Sequence, residues 1–367
     1  MNSLAGLANV HLDDLTSLVA RKNRVNKSMV MPYVDYTELL AEVFSLGCQP
    51  GQNLVSAGVA LPQVAQAADR AGLQVTEQLG VSPFAADLDA TLSGVGSTSD
   101  VIIVANPNRV TGAHLSIKEL EEMARSVPDG LLIVDEYYND FFGVSAASLL
   151  DKYTNLIILR SFTAAFSIIS AEAGYVLGNS TTIATLRDAF EGKPFSLTVR
   201  KTILATLTAD EAVRNRLKEV HDESLRLSTE LGRIGIQSRI CATDFILLRV
   251  ADPAAAGNHL AAEKVYVENL DGYPQLGNYL RYQVQSPLTN ERMLSAFRAM
   301  PATFWKMKKS DLRRTRMGQG TLRGTGQSEI QDDHTTRRPD SQPAQGGWLD
   351  RLKQASQHKD TKVVTTK

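Results

Sequence analysis

Polar side chains gather just after apolar runs in residues 106–112, 135–142 and 161–174, and these are the segments in which chemistry should be sought. The third holds Ser161, Thr163 and Ser167, whose hydroxyls and amides could bind an anion at the start of a helix. Other reactive types form no constellation. His11, His114, His221, His259, His334 and His358 are scattered, with neither triad nor metal-ligand spacing among them. Cys48 and Cys241 lie far apart without histidine or cysteine neighbours, which argues against zinc and against a disulfide framework. Both are expected to be ordinary buried thiols.

The elements that position these segments follow from patterning. Val101-Ile-Ile-Val-Ala, Gly130-Leu-Leu-Ile-Val and Leu156-Ile-Ile-Leu are apolar without polar alternation, as strands buried on both faces require. Helical stretches separate them, among them residues 116–126, which open with Ser116 and Glu119 in capping-box spacing. The fold class is therefore α/β with a mostly parallel sheet, and in such sheets the ligand crevice lies beyond the carboxyl ends of the strands. Upstream, Leu12, Leu15, Leu18 and Val19 form one helical stripe and residues 39–44 another. A strand at 53–57, a helix at 62–71 and a short strand at 74–77 follow. Residues 202–231 read as one or two amphipathic helices. Phe245-Ile-Leu-Leu-Arg-Val and Tyr279-Leu-Arg-Tyr-Gln-Val read as strands of a smaller α+β unit closed by a helix at 289–299. The expected division is an N-terminal helical arm at 1–30, a large domain at 31–200, a small domain at 201–305 and a tail at 306–367.

Overall charge is balanced, with 39 Lys+Arg against 40 Asp+Glu, but the tail carries a net +7 and the remainder −8. The composition does not suggest nucleic acid as a partner, and the tail has no aromatic interleaving of the kind that binds it. No stretch approaches ~18 consecutive apolar residues, so no membrane span is expected, and the start lacks the grammar of a secretory signal. The reading is cytoplasmic. Beyond Trp305 the apolar signal collapses as far as about Gly346, and that stretch is expected to be disordered. Behind it, Trp348, Leu349, Leu352 and Ala355 form a short stripe. So short a helix is marginal alone, and a protein partner reached through the tail is expected to hold it.

The crevice segments carry a resemblance. Val104-Ala-Asn-Pro-Asn-Arg-Val-Thr-Gly, Val134-Asp-Glu-Tyr-Tyr-Asn-Asp-Phe, and Leu159-Arg-Ser-Phe-Thr-Ala-Ala-Phe followed by Ala173-Gly-Tyr occur in the order and spacing of motifs in the fold-type-I pyridoxal-phosphate (PLP) aminotransferases, class I/II. The chain is most similar to the histidinol-phosphate aminotransferase subgroup and to threonine-phosphate decarboxylase, over roughly residues 30–300. The resemblance implies a three-layer αβα sandwich with a smaller α+β domain. It places Asp135 against the pyridine nitrogen, Tyr138 and residue 109 near the cofactor hydroxyl, Thr163 and residue 172 near the cofactor, and Arg281 on the substrate carboxylate.

Several of these positions depart from the family pattern. The Schiff-base lysine falls on Ala164, which offers no amine to hold the cofactor or move a proton. The phosphate-binding arginine falls on Glu172, the asparagine of the first loop on Arg109, and the ring-stacking aromatic on Leu61. The phosphate-cradling turn falls on Pro32-Tyr33, where proline supplies no N–H. Fewer residues precede Pro32 than the family has, which puts the arm over the substrate and the homodimer in question.

The expectation is a catalytically inactive, aminotransferase-like scaffold or interaction module, with no catalytic residue, metal or cofactor, PLP or another small phosphorylated ligand being what residual binding would concern. Two readings compete: a non-catalytic partner subunit of an active paralogue, and residual aminotransferase activity through a relocated lysine, Lys193 or Lys201. Asp135, Tyr138 and Arg281 could equally persist as structural hydrogen-bonding and ion-pair groups.

Overall fold

The computed structural model describes residues 12–164, 173–190, 195–273, 275–307 and 347–364. The large sheet has seven strands: β1 (Val30–Val34), β2 (Asn53–Ala57), β3 (Gln74–Gln78), β4 (Val101–Ala105), β5 (Leu131–Asp135), β6 (Leu156–Ser161) and β7 (Ala173–Gly178), in the spatial order β1-β7-β6-β5-β4-β2-β3. Strands β3, β2, β4, β5 and β6 run parallel. β7 is antiparallel to β6 and to β1. The α/β class expected from the apolar runs is what the chain forms.

Helices cover both faces. α1 (Leu12–Asn23) comes first, and α2 (Tyr36–Gly47), α3 (Pro62–Ala71), α4 (Leu88–Ser93), α5 (Ile117–Ser126), α6 (Asn139–Phe142), α7 (Ser180–Ala189) and α8 (Leu197–Thr208) follow. Alternate strand residues serve opposite faces: Ile102 and Val104 pack with α1, α5 and α8, while Val101 and Ile103 pack with α2, α3 and α7. That double burial is why the strands read as unbroken apolar runs. Leu15 and Val19 of α1 are buried in the core formed with this face of the sheet. The expected capping box at Ser116 and Glu119 is present.

The small domain begins with α9 (Asp210–Arg233), which resolves the 202–231 pattern into two helices together with α8. Its sheet, β8 (Gln237–Ile240), β9 (Phe245–Arg249), β10 (Glu268–Asn269) and β11 (Tyr279–Gln283), is antiparallel in the order β10-β11-β9-β8. α10 (Pro253–Ala262), α11 (Pro287–Ala299) and α12 (Ala302–Trp305) pack around it.

The last helix, α13 (Trp348–Val364), corrects the expectation for its apolar stripe. Trp348 and Leu352 are buried at 1% and 0% exposure among residues of α2 and α7 of the same chain, and Leu349 packs beside them. The Trp348 backbone amide donates to Asp129 O at 2.7 Å and Arg351 Nε donates to Gly47 O at 2.9 Å. The face expected to await a partner is thus consumed in completing one layer of the sandwich. The stretch between Trp305 and Gly346 that was expected to be disordered lies, from residue 308 on, outside the described residues. No helix among the described residues is long and apolar enough to cross a membrane.

Candidate functional site

The crevice lies where the ends of β4, β5 and β6 face the small domain. Parallel register sets Ala105 beside Asp135, so the loop after β4 and the segment after β5 emerge as neighbours. The first loop is braced from within. Asn106 Oδ1 accepts from Leu115 N at 2.7 Å, and Asn108 Oδ1 accepts from Val110 N and Thr111 N, each at 3.0 Å. Gly112 has φ +71°, and a Cβ there would lie 2.5 Å from Cys241 Cβ, so glycine lets this loop close against the small domain.

That loop delivers Arg109 to Asp135. Arg109 Nη1 lies 3.3 Å from Asp135 Oδ2, and the guanidinium stacks 3.8 Å over the Tyr137 ring and 5.1 Å from the Tyr36 ring centroid. The Tyr36 hydroxyl donates to the same Asp135 Oδ2 at 2.9 Å, and Asp135 Oδ1 accepts from Tyr137 N at 3.1 Å. Asp135 and Tyr36 are buried. Burial works against the charge of Arg109, but Asp135 and the surrounding phenols outweigh it and hold the guanidinium firmly protonated. Burial, then the Asp135 charge, pushes the Tyr36 phenol well above its ordinary value.

The position expected for the phosphate cradle needs correcting. Pro32 and Tyr33 lie inside β1, and the strand-to-helix turn falls at Asp35-Tyr36. Asp35, at φ 79°, is the N-cap of α2, and its Oδ1 accepts from Glu38 N at 3.1 Å. A carboxylate of the chain itself thus sits at the helix terminus that would attract an anion. Ser161 Oγ accepts from Thr163 N at 2.9 Å, and the rest of the segment expected to bind an anion, from residue 165 to 172, lies outside the described residues. Ser167 and Glu172 lie outside the described residues.

Tyr138 and Arg281 do meet. Arg281 Nη2 donates to the Tyr138 hydroxyl at 3.1 Å, its Nη1 pairs with Glu268 Oε2 at 2.9 Å, and its guanidinium stacks 4.2 Å over Phe245. The fork expected to grip a substrate carboxylate is divided between one oxygen of an internal carboxylate and a phenol. Burial, then Asp244, raises the Tyr138 phenol well above its ordinary value. Ala164 packs beside the apolar cluster of Val59, Val110, Tyr138, Phe245 and Leu247. Leu61 is the N-cap residue of α3 and is partly buried, and the rings near Arg109 are those of Tyr36 and Tyr137. Lys193 lies outside the described residues, and Lys201 sits on α8, whose Ile203 and Leu207 belong to the core shared with α1.

Sequence reasoning missed Tyr36, Tyr137 and the partner of Arg281, Glu268. It also missed Glu136, which turns away from Asp135 into a buried pair with Arg160 at 2.8 Å and accepts from Ala146 N at 2.7 Å. Cys48 and Cys241 are half-buried rather than fully so; burial nevertheless pushes their thiols up to about 12 and about 11. Among the described residues, no group of metal-capable side chains is assembled.

The layered sheet, the antiparallel small domain and a crevice at the strand ends define the aminotransferase fold. Histidinol-phosphate aminotransferase from Sinorhizobium meliloti, solved in complex with pyridoxal-5'-phosphate, superimposes with a TM-score of 0.71 at 17% identity, over 78% of this chain and 82% of that one. L-threonine-O-3-phosphate decarboxylase from Porphyromonas gingivalis does so at 0.63 and 17%, over 78% and 88%. The chain belongs to the aminotransferase class I and II family, whose model matches residues 1–299. It is similar to histidinol-phosphate aminotransferase 1 of Carboxydothermus hydrogenoformans, 31% identical over 216 residues, 58% of this chain and 60% of that protein. The corresponding figures for the enzyme of Chlorobaculum tepidum are 29% over 217 residues, 58% and 62%. The chain thus matches about three fifths of the length of these curated relatives.

Proposed function

We propose that this chain is a non-catalytic member of its family, a binding or scaffold module whose crevice is filled by its own side chains. The observation that carries the reading is the Arg109–Asp135 contact. PLP supplies an electron sink when an enzyme pairs its pyridine nitrogen with a carboxylate and holds its aldehyde through a lysine amine. Here the carboxylate has a permanent cation of the chain as partner, flanked by the Tyr36 and Tyr137 rings where a planar ring would need room. The remaining requirements fail in the same direction. Asp35 caps the helix that would receive a phosphate, Glu268 and Tyr138 each take one nitrogen of Arg281, and Ala164 brings a methyl group where an amine is needed. These residues do not fit the cofactor, and no step of transamination is assigned to them.

Loss of function by drift would leave unpaired polar groups, each costing about 1–3 kcal/mol when buried. Asp135, Arg109 and Arg281 are instead each partnered inside the chain, which suits a protein maintained for its folded shape. The test is to incubate the purified full chain with excess PLP, remove free cofactor by gel filtration and record the visible spectrum. A spectrum without an aldimine band supports the proposal. A stoichiometric band would overturn it.

A further inference from the structure

The outer edge of a sheet offers N–H and C=O groups with which another strand can pair, and proteins blunt such edges with proline, charge or brevity. The large sheet ends at β1 and β3, the small one at β10 and β8. Three of these edges are blunted: β1 carries Pro32, β10 has two residues, and β8 carries the exposed Arg239. β3, Gln74-Val-Thr-Glu-Gln, has five residues and neither proline nor a basic side chain. Its one charged group is turned inward along the chain, Glu77 Oε1 accepting from Ala60 N at 3.1 Å. Residues 74–77 are exposed, and the large apolar side chains left exposed include Val75 on the strand and Val81 just beyond it.

Register decides what can pair there. β3 runs parallel to β2, with Leu54 beside Val75 and Ser56 beside Glu77. Gln74 N donates to Gln52 O, and Gln78 O accepts from Gly58 N, each at 2.9 Å. Backbone groups alternate in direction along a strand, so Gln74, Thr76 and Gln78 face β2 while Val75 and Glu77 send N–H and C=O to the open side. A second β3 laid antiparallel can therefore pivot on Thr76, setting Val75 opposite Glu77 of the second copy and Glu77 opposite its Val75. Each such pair exchanges both main-chain hydrogen bonds, and threonine meets threonine between them, a favourable cross-strand contact. Neighbouring pivots are worse. One on Glu77 opposes two carboxylates, and one on Val75 sets Glu77 against Leu73, whose N already donates to Ala68 O at 2.9 Å.

We infer that β3 is a self-pairing edge, joining two copies of this chain antiparallel across a two-fold axis at Thr76 into one continuous sheet. The strand is complementary to itself in hydrogen bonding and in charge, which is what a symmetric interface requires. So short an edge buries less than a standard interface, and the association is weak and concentration-dependent. It goes beyond the reading of the crevice and does not depend on what fills the space at Asp135.

The test is sedimentation velocity of the full chain from about 1 to 300 µM, the span in which small interfaces associate. Reversible dimerisation is expected. Val75→Pro removes an outward N–H, which an edge strand tolerates, and should weaken the dimer about tenfold or more because half of the pairing bonds are lost. Val75→Glu sets like charges opposite one another and should weaken it as well; adding Glu77→Lys should recover association, each new carboxylate then facing an ammonium of the second copy. Thr76→Cys should give a disulfide-linked dimer under mild oxidation, since such a non-hydrogen-bonded pair has its Cα atoms about 4.5 Å apart, within disulfide reach. Thermal melting checks that each variant is folded. A chain monomeric over the whole span, a dimer unchanged in folded Val75→Pro and Val75→Glu, or no recovery on adding Glu77→Lys would each overturn the assignment.

Discussion

Arg109 Nη1 lies 3.3 Å from Asp135 Oδ2, with the guanidinium stacked 3.8 Å over the ring of Tyr137. A planar cation on a carboxylate, sandwiched against aromatic rings, reproduces in one side chain the contacts that a protonated pyridine ring would make with that aspartate. The crevice end of β5 thus holds a cation and aromatic rings of the chain itself against the Asp135 carboxylate.

If that pair is structural, separating it should cost stability. The Asp135 side chain is 3% exposed and that of Arg109 19%, so Asp135→Asn leaves a mostly buried cation without its counter-charge. A loss of about 3 kcal/mol in urea unfolding is expected, at the lower end for breaking a buried pair. Arg109→Met together with Asp135→Asn should recover part of it, giving a coupling energy of about 1 kcal/mol or more.

Restoring an amine should not by itself restore cofactor binding. Ala164→Lys is expected to give no stable aldimine while Arg109 still occupies Asp135 and Asp35 still caps α2. Adding Arg109→Asn to Ala164→Lys should increase PLP retention on gel filtration. Full retention by the single variant would contradict the claim that Arg109 blocks the site.

The terminal helix should behave as part of the core. Leu352 is fully buried, so Leu352→Ala should cost about 2–5 kcal/mol, and Trp348→Ala a similar amount. Gly47→Ala should act through the same contact, because a methyl group there would overlap the Trp348 indole. The expected readouts are a lower melting temperature, redder tryptophan emission and faster proteolysis beyond residue 346.

Alkaline pH should destabilise the fold, because the thiols ionise more readily in the unfolded chain than in the folded one. Burial raises Cys48 from 9.0 to about 12 and Cys241 from 9.0 to about 11, and the Tyr36 and Tyr138 phenols are raised too. Above about pH 9 the unfolded chain therefore holds fewer protons at these groups than the folded one, so stability falls as pH rises toward 12. Chemical denaturation across this range should show the decline, with Cys48→Ala reducing its slope. Alkylation of both thiols should be slow at neutral pH, because the reactive thiolate is scarce.

Much of the scaffold was legible because double burial writes itself as unbroken apolar runs; β4, β5 and β6 were found where they stand. β1 was missed. It is an edge strand containing Pro32, a residue tolerated at edges but absent from central strands, and its misreading moved the expected phosphate turn from Asp35-Tyr36 into the strand. β8 is another edge, with exposed Gln237 and Arg239, so no apolar signal marked it. Arg109 and Asp135 were both visible in sequence, but their pairing was not: they are 26 residues apart, and only the β4–β5 register brings them together. Trp348 misled for the opposite reason, since an apolar stripe does not say whether the surface it needs belongs to another molecule or to α2 and α7.

The most direct measurement is borohydride reduction of the full chain in excess PLP, followed by peptide mass spectrometry. The account predicts no lysine carrying a stoichiometric pyridoxyl group and only scattered, substoichiometric labelling of exposed amines. Quantitative modification of one lysine, abolished by a non-reactive cofactor analogue, would contradict it and mark a working site.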